Sequence, residues 1–179
     1  MLLAHDFPAS RPLKPMSISN LEELFIEQLK DLYNSEEQIQ EAYTRWRERA
    51  ETTELRDMFN EHINHSNTRK KNIDAICGKL DVSPTGEKCE GTEGLIKEGD
   101  DLLGELEGGA IQDAGLIAMS QRIEHYGIAG YGCARTYAQQ LGHSEAADQL
   151  QQSLDQAVEL DQKMSKLAEK VLNPEAAKA

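Results

Sequence analysis

With 179 residues, the chain is long enough to form one domain with a sizeable core. Its 32 acidic and 19 basic residues give a formal net charge of −13, which argues against nucleic acid as a partner because phosphate binding needs a basic face. No apolar run approaches the roughly 20 residues of a membrane span, so we predict no membrane partner. The three cysteines lack CxxC spacing, which predicts a cytoplasmic protein with reduced thiols.

The first 16 residues, MLLAHDFPASRPLKPM, contain three of the five prolines and show no hydrophobic periodicity. This composition predicts a disordered leader, and Met16 is an alternative start of the protein. A helical domain is predicted over residues 17–173, followed by a disordered tail at 174–179.

Four long helices are predicted from apolar residues at helical spacing. The first is preceded by Ser19 and Asn20 as N-cap candidates, and Ser19 with Glu22 forms a capping-box pattern. Asn173–Pro174 is predicted to end the last helix. The long helices cover about 20–49, 53–80, 113–141 and 144–172, and a short, glycine-interrupted helix covers about 92–107. Short connections within each pair and a long connection between the pairs predict an all-α four-helix bundle of two αα-hairpins, with an additional short helix in the crossover.

The stretch Asp113–Leu141, DAGLIAMSQRIEHYGIAGYGCARTYAQQL, carries the first sign of a functional site. Glu124 lies in its apolar stripe, seven residues after Ile117 and four before Ile128. A carboxylate in that position must be neutralised, paired or bound to a metal, because an isolated buried charge costs several kcal/mol or more.

The other long helices also place polar residues on their apolar faces near mid-length. Glu36 lies in the stripe of the first helix and Asp161 in that of the fourth. His62 is predicted to lie on or beside the apolar face of the second helix and His65 at its flank. Because helix midpoints lie at similar heights in a bundle, these residues are expected to meet in one layer.

Two interpretations of this layer remain open from the residues alone. Carboxylates and imidazoles on rigid helices are the donors of a carboxylate-bridged metal site. The same residues could instead form a buried hydrogen-bonded network, with Arg69 as counter-cation one turn beyond His65.

Four segments then suggest a family. DLYNSEEQI (31–39), KCEGTEGLIKE (88–98), QDAGLIAMSQRIEHYGIAGYG (112–132) and LDQAVELDQKMSKLAE (154–169) resemble the YciE/YciF-like, ferritin-like stress-response family. The resemblance covers about residues 18–172 and implies a ferritin-like bundle, a tendency to dimerise, and a dimetal site without a settled reaction.

The resemblance assigns site residues one by one. Glu36 matches the acid of the D-x-Y-x-x-E-x-Q motif, His62 the histidine of the second helix, Glu124 the acid of E-H-Y, and Asp161 the aspartate of the fourth helix. The chain also departs from the family pattern: His65 replaces an acid, Arg69 a glutamine, and Gly127 and Ala157 each a glutamate, while Asn64 and Asn67 stand where acidic or histidine residues are common.

We therefore predict a stress-associated bundle protein that forms a homodimer and has a partly altered metal site. Iron or manganese would be held by Glu36, Glu124 and Asp161 with His62 and His65, and any chemistry would be redox. The alternative is a non-enzymatic structural or interaction protein whose polar layer binds no metal. Nothing in the sequence favours a 24-subunit storage shell.

Overall fold

A computed structural model describes residues 17–178 of the chain. Over that range the chain is helical and has no β-strand, which confirms the predicted fold class. The predicted leader lies outside the described residues. The elements are α1 Leu21–Arg49, α2 Thr53–Lys79, α3 Glu90–Glu105, α4 Ala110–Gln140, α5 Ser144–Leu167, a π-helical turn Ala168–Leu172, and α6 Asn173–Ala176.

The four long helices form two antiparallel hairpins, α1 with α2 and α4 with α5, as their short connections require. The crossover helix α3 packs against α1 and α4. Gly99 allows this close approach, because a Cβ there would lie 2.5 Å from Cζ2 of the buried Trp46. No helix within residues 17–178 has the length and apolar character needed to span a bilayer.

The N-terminus of α1 is capped by Asn20, one of the two predicted N-cap candidates, but the acidic partner is Glu23 and not Glu22. Asn20 is the N-cap, and its Oδ1 accepts a hydrogen bond from the Glu23 backbone N–H at 2.9 Å. The Glu23 carboxylate in turn accepts one from the Ser19 backbone N–H at 2.7 Å. The predicted pairing of Ser19 with Glu22 was wrong, because Asn20 directly precedes the first helical residue.

The C-terminal end also differs from the prediction. The chain does not leave the helical conformation at Asn173–Pro174 but continues through the π-helical turn into α6. Pro174 lies in the first turn of α6, where a backbone N–H is not needed for the intrahelical ladder. Residues 174–176 are therefore helical in the region predicted to be a tail.

The start of α2 is capped by a side chain from another helix. Asp113 of α4 is fully buried, and its two carboxylate oxygens accept hydrogen bonds from the backbone N–H groups of Glu51 and Thr52, both at 2.8 Å. Thr52 is the N-cap residue but makes no side-chain cap bond. The α1–α2 turn is thus fastened to the first turn of α4.

The core consists of two apolar clusters that follow one another along the bundle. One cluster is built around Tyr43, Trp46 and Phe59, and the other around Phe25 and Ile73. On each long helix the residues of the two clusters lie toward opposite ends. The interval between them holds buried polar side chains, which position the candidate site described next.

Candidate functional site

A layer of buried polar side chains separates the two apolar clusters. We call it the polar layer. None of its members is more than 2% exposed, and they are Glu36 of α1, His62, Ser66 and Arg69 of α2, and Glu124 of α4. The α2 members share one face because they are spaced four and three residues apart. Two carboxylates at this depth require compensating positive charge or hydrogen-bond donors.

Glu36 accepts hydrogen bonds at both carboxylate oxygens. Ser66 Oγ donates to Oε2 at 2.6 Å, while Tyr131 Oη and Arg69 Nη1 lie 2.7 and 3.2 Å from Oε1. Burial by itself raises the pKa of Glu36. The Arg69 charge, followed by His62 and the two hydroxyl donors, outweighs burial and holds this pKa below its ordinary value.

Arg69 connects all four long helices. Its Nη1 reaches Glu36 of α1, its Nε donates to Gln156 Oε1 of α5 at 3.3 Å, and its guanidinium lies 5.5 Å from the ring centroid of Tyr131 of α4. Burial opposes the charged form, but the Glu36 carboxylate raises the pKa of Arg69 above its ordinary value. The side chain is therefore a fixed cation inside the bundle.

His62 lies between the two carboxylates. Its Nδ1 is 2.6 Å from Glu124 Oε1, and its Nε2 is 3.9 Å from Glu36 Oε2. Within residues 17–178 neither ring nitrogen makes a directed hydrogen bond, so the short contact with Glu124 is a close approach of the two groups and not a formed hydrogen bond. An edge-on contact with the Tyr43 ring, 4.6 Å between centroids, fixes one side of the imidazole.

Two tyrosines join α1 and α4 crosswise. Tyr131 of α4 donates to Glu36 of α1 at 2.7 Å, and Tyr43 of α1 lies 3.4 Å from Glu124 Oε1 of α4. Burial first, and then the neighbouring carboxylate, raises the pKa of each hydroxyl well above its ordinary value, so both stay protonated. Neither tyrosine was predicted to be a member of the site. The signal was available, because each tyrosine follows the glutamate of its own helix by seven residues.

The remaining predicted site residues, His65 and Asp161, make no hydrogen bond or ion pair with the polar layer among the described residues. His65 is partly buried, and its Nδ1 has no hydrogen-bond partner among the described residues. Burial, followed by the Arg69 charge, lowers the pKa of His65. Asp161 accepts a hydrogen bond from Gln121 Nε2 at 2.9 Å and lies 3.4 Å from Nε2 of the exposed His125. None of its hydrogen bonds or ion pairs within residues 17–178 joins the polar layer.

The donors of the polar layer do not fit an iron or manganese ion in this arrangement. Both oxygens of Glu36 already accept hydrogen bonds, and the Arg69 cation lies at 3.2 Å from one of them. A two-metal site in a ferritin-like bundle uses about four carboxylates and two histidines. Over the described part of the chain, no group of three or more His, Cys, Asp or Glu side chains is arranged to hold a metal ion.

Comparisons with known proteins agree with the predicted resemblance. The model of a family described as a domain of unknown function (DUF892) matches residues 20–177. Protein YciF of Escherichia coli (strain K12) is 32% identical over 162 residues, which cover 90% of this chain and 98% of that protein.

Two solved structures share the fold at comparable identity. The crystal structure of the E. coli stress protein YciF has a TM-score of 0.83 at 31% identity, covering 87% of this chain and 99% of that one. YcfI from Rhodopseudomonas palustris, a candidate structural protein, has a TM-score of 0.81 at 30% identity, covering 86% of this chain and 98% of that one.

Proposed function

This chain belongs to the DUF892 family and is similar to the YciF stress protein. From that premise we propose that it is a non-enzymatic structural protein whose polar layer needs no metal ion. The observation that carries the proposal is the internal balance of the layer. Within the layer, the permanent charge of Arg69 lies 3.2 Å from the Glu36 carboxylate, and His62 Nδ1 lies 2.6 Å from Glu124. The description of the R. palustris relative as a candidate structural protein supports the same conclusion.

A structural role also accounts for the distribution of the contacts. The layer receives side chains from α1, α2 and α4, and Arg69 extends it to Gln156 of α5. Removing one partner of a buried pair is strongly destabilising, whereas intact pairs contribute little net stability. The layer therefore favours one relative arrangement of the helices over alternatives that would leave a charge unpaired.

The competing candidate is an iron or manganese redox site at Glu36, His62 and Glu124, with His65 and Asp161 assisting. One observation favours it: His62 Nε2 makes no directed hydrogen bond among the described residues and lies 3.9 Å from Glu36 Oε2. An imidazole nitrogen and a carboxylate oxygen are donors that both metals accept. Against it stand the Arg69 cation and the placement of Asp161 beside Gln121.

Metal content distinguishes the two candidates. Protein purified without chelator, and then dialysed against Mn²⁺ or anaerobic Fe²⁺ followed by metal-free buffer, should retain far less than one equivalent per chain by elemental analysis. Retention of one or more equivalents, reduced by Glu124→Gln, would contradict the structural proposal and support the redox site.

A second experiment tests the function in cells. The double variant Glu36→Gln/Arg69→Met replaces the buried ion pair by neutral groups of similar volume, which folded proteins often tolerate. Expressed in a host lacking the gene, a folded double variant should restore stress survival as well as the wild type does. Loss of survival with unchanged circular dichroism and expression would show that the ionised pair has a chemical role.

We also propose that the protein forms a homodimer in the cytoplasm. Two-fold dimers are the commonest assemblies of soluble proteins. The sequence resemblance implies the same state, and the location remains a prediction.

A further inference from the structure

Arg69 occupies an unusual position for a guanidinium group. It is 2% exposed, and its contacts reach α1 through Glu36, α4 through the Tyr131 ring and α5 through Gln156. A metal ion at the centre of a bundle has the same two effects: it supplies positive charge to buried carboxylates and ties facing helices together.

We infer that the Arg69 guanidinium takes the electrostatic place of a metal ion in the polar layer and keeps divalent cations out of it. This inference rests on the proposed metal-free function and names the group responsible for it. The guanidinium cannot lose its proton in a protein, so its charge is permanent. It repels a second cation, and it withdraws a Glu36 oxygen from coordination by hydrogen bonding to it.

Removal of the guanidinium should therefore create a metal site. Without Arg69, two buried carboxylates would converge on His62, whose Nδ1 and Nε2 lie 2.6 and 3.9 Å from Glu124 and Glu36. The layer would then have an excess of negative charge that a divalent ion could neutralise. Carboxylate oxygens with an imidazole nitrogen suit Mn²⁺, Fe²⁺ and Zn²⁺.

The test compares Arg69→Gln with the wild type in titrations with Mn²⁺, Zn²⁺ and anaerobic Fe²⁺. We expect Arg69→Gln to bind about one equivalent by calorimetry and to gain roughly 5–10 °C in Tm when the metal is at about 100 times its Kd. The wild type should show neither effect. Arg122→Gln is the matched control, because Arg122 is a half-exposed surface residue whose carboxylate partner is Glu98.

A second variant keeps the test decisive if binding is weak. Gly127 lies one turn after Glu124, and a Cβ at this position would meet nothing within 4 Å. Arg69→Gln/Gly127→Glu should therefore bind the same metals more tightly than Arg69→Gln alone. Failure of both variants to bind any of the three metals, with the wild type also metal-free, would overturn the inference while leaving the structural function intact.

A competition experiment tests whether the guanidinium and the metal use the same place. Arg69→Ala should gain Tm with methylguanidinium at millimolar concentration, and methylguanidinium should weaken Mn²⁺ binding to this variant in calorimetry. Should Arg69→Ala be unfolded alone, recovery of its circular dichroism with either cation supports the inference, and recovery with neither contradicts it. Metal uptake by the wild type itself would overturn both the inference and the proposed function.

Discussion

The substitution Arg69→Met removes the positive charge next to Glu36 while keeping much of the aliphatic volume of the side chain. Breaking a buried ion pair by removing one partner typically costs about 3–5 kcal/mol. Here Ser66 and Tyr131 still donate hydrogen bonds to the Glu36 carboxylate, at 2.6 and 2.7 Å. We therefore expect the lower end of that range, about 3 kcal/mol at neutral pH, which corresponds to a fall in Tm of roughly 6–12 °C for a chain of this size.

The loss should depend on pH in a defined direction. In the wild type the pKa of Glu36 lies below its ordinary value. The ionised carboxylate therefore stabilises the folded protein at pH values above its unfolded-state pKa. This stability is lost as the pH falls through the folded-state pKa. Without Arg69, burial is the largest influence on Glu36 and raises its pKa. The difference in unfolding free energy between wild type and variant should therefore be largest near neutral pH and shrink below about pH 5.

Urea unfolding followed by far-ultraviolet circular dichroism at several pH values measures this difference. The double variant Glu36→Gln/Arg69→Met is the control. Its loss of unfolding free energy should be smaller than the summed losses of Glu36→Gln and Arg69→Met, by about 0.5–3 kcal/mol. Arg69 does not compensate the charge of Glu36 if Arg69→Met lowers the free energy of unfolding by less than about 1 kcal/mol at neutral pH. The same conclusion follows if the loss is equal at about pH 4.5 and pH 7.

Three further predictions concern the fold and the assembly. Asp113→Ala removes two hydrogen bonds that the carboxylate accepts from backbone N–H groups at the start of α2. It should lower the free energy of unfolding in urea by about 3 kcal/mol or more, and a loss below about 1 kcal/mol would show that water replaces the two bonds. Gly99→Ala should lower the free energy of unfolding by about 1–3 kcal/mol, because the new Cβ would collide with Trp46. Gly94→Ala in the same helix is the control and should be neutral or stabilising, because a Cβ at Gly94 has no neighbour within 4 Å. Equal Tm values for the two variants would contradict the close approach of α3. Light scattering at micromolar concentration should give twice the 20.0 kDa chain mass, and a monomer or a large shell would refute the proposed dimer.

Helical periodicity was sufficient to predict most of the polar layer. Glu36, His62 and Glu124 each fall on the apolar face of their helix, so the helical period alone directs their side chains toward the interior of the bundle. Arg69, one turn beyond His65, was also predicted as a counter-cation of a buried network, and its Nη1 lies 3.2 Å from Glu36 Oε1. Long helices with short turns leave little freedom in where such residues meet.

Periodicity failed where a residue lies at the edge of a stripe or bonds to distant backbone. Asp161 follows the fully buried Leu160 by one position, or about 100° of rotation, and this places it toward Gln121 rather than in the layer. Asp113 reads as a first-turn acid of α4, and nothing near it in the chain identifies the α1–α2 turn as its partner. Such a contact depends on the three-dimensional arrangement of the hairpins.

The crosswise pairs between α1 and α4 also limit how these two helices can slide past each other. A shift of one helical turn is about 5.4 Å, and it would separate Tyr131 from Glu36 and Tyr43 from Glu124 at the same moment. It would also carry Glu36 out of the layer toward one of the apolar clusters. The bundle is therefore unsuited to ratchet-like motion of α1 along α4, and any conformational change in this protein should leave that pair moving as one rigid body.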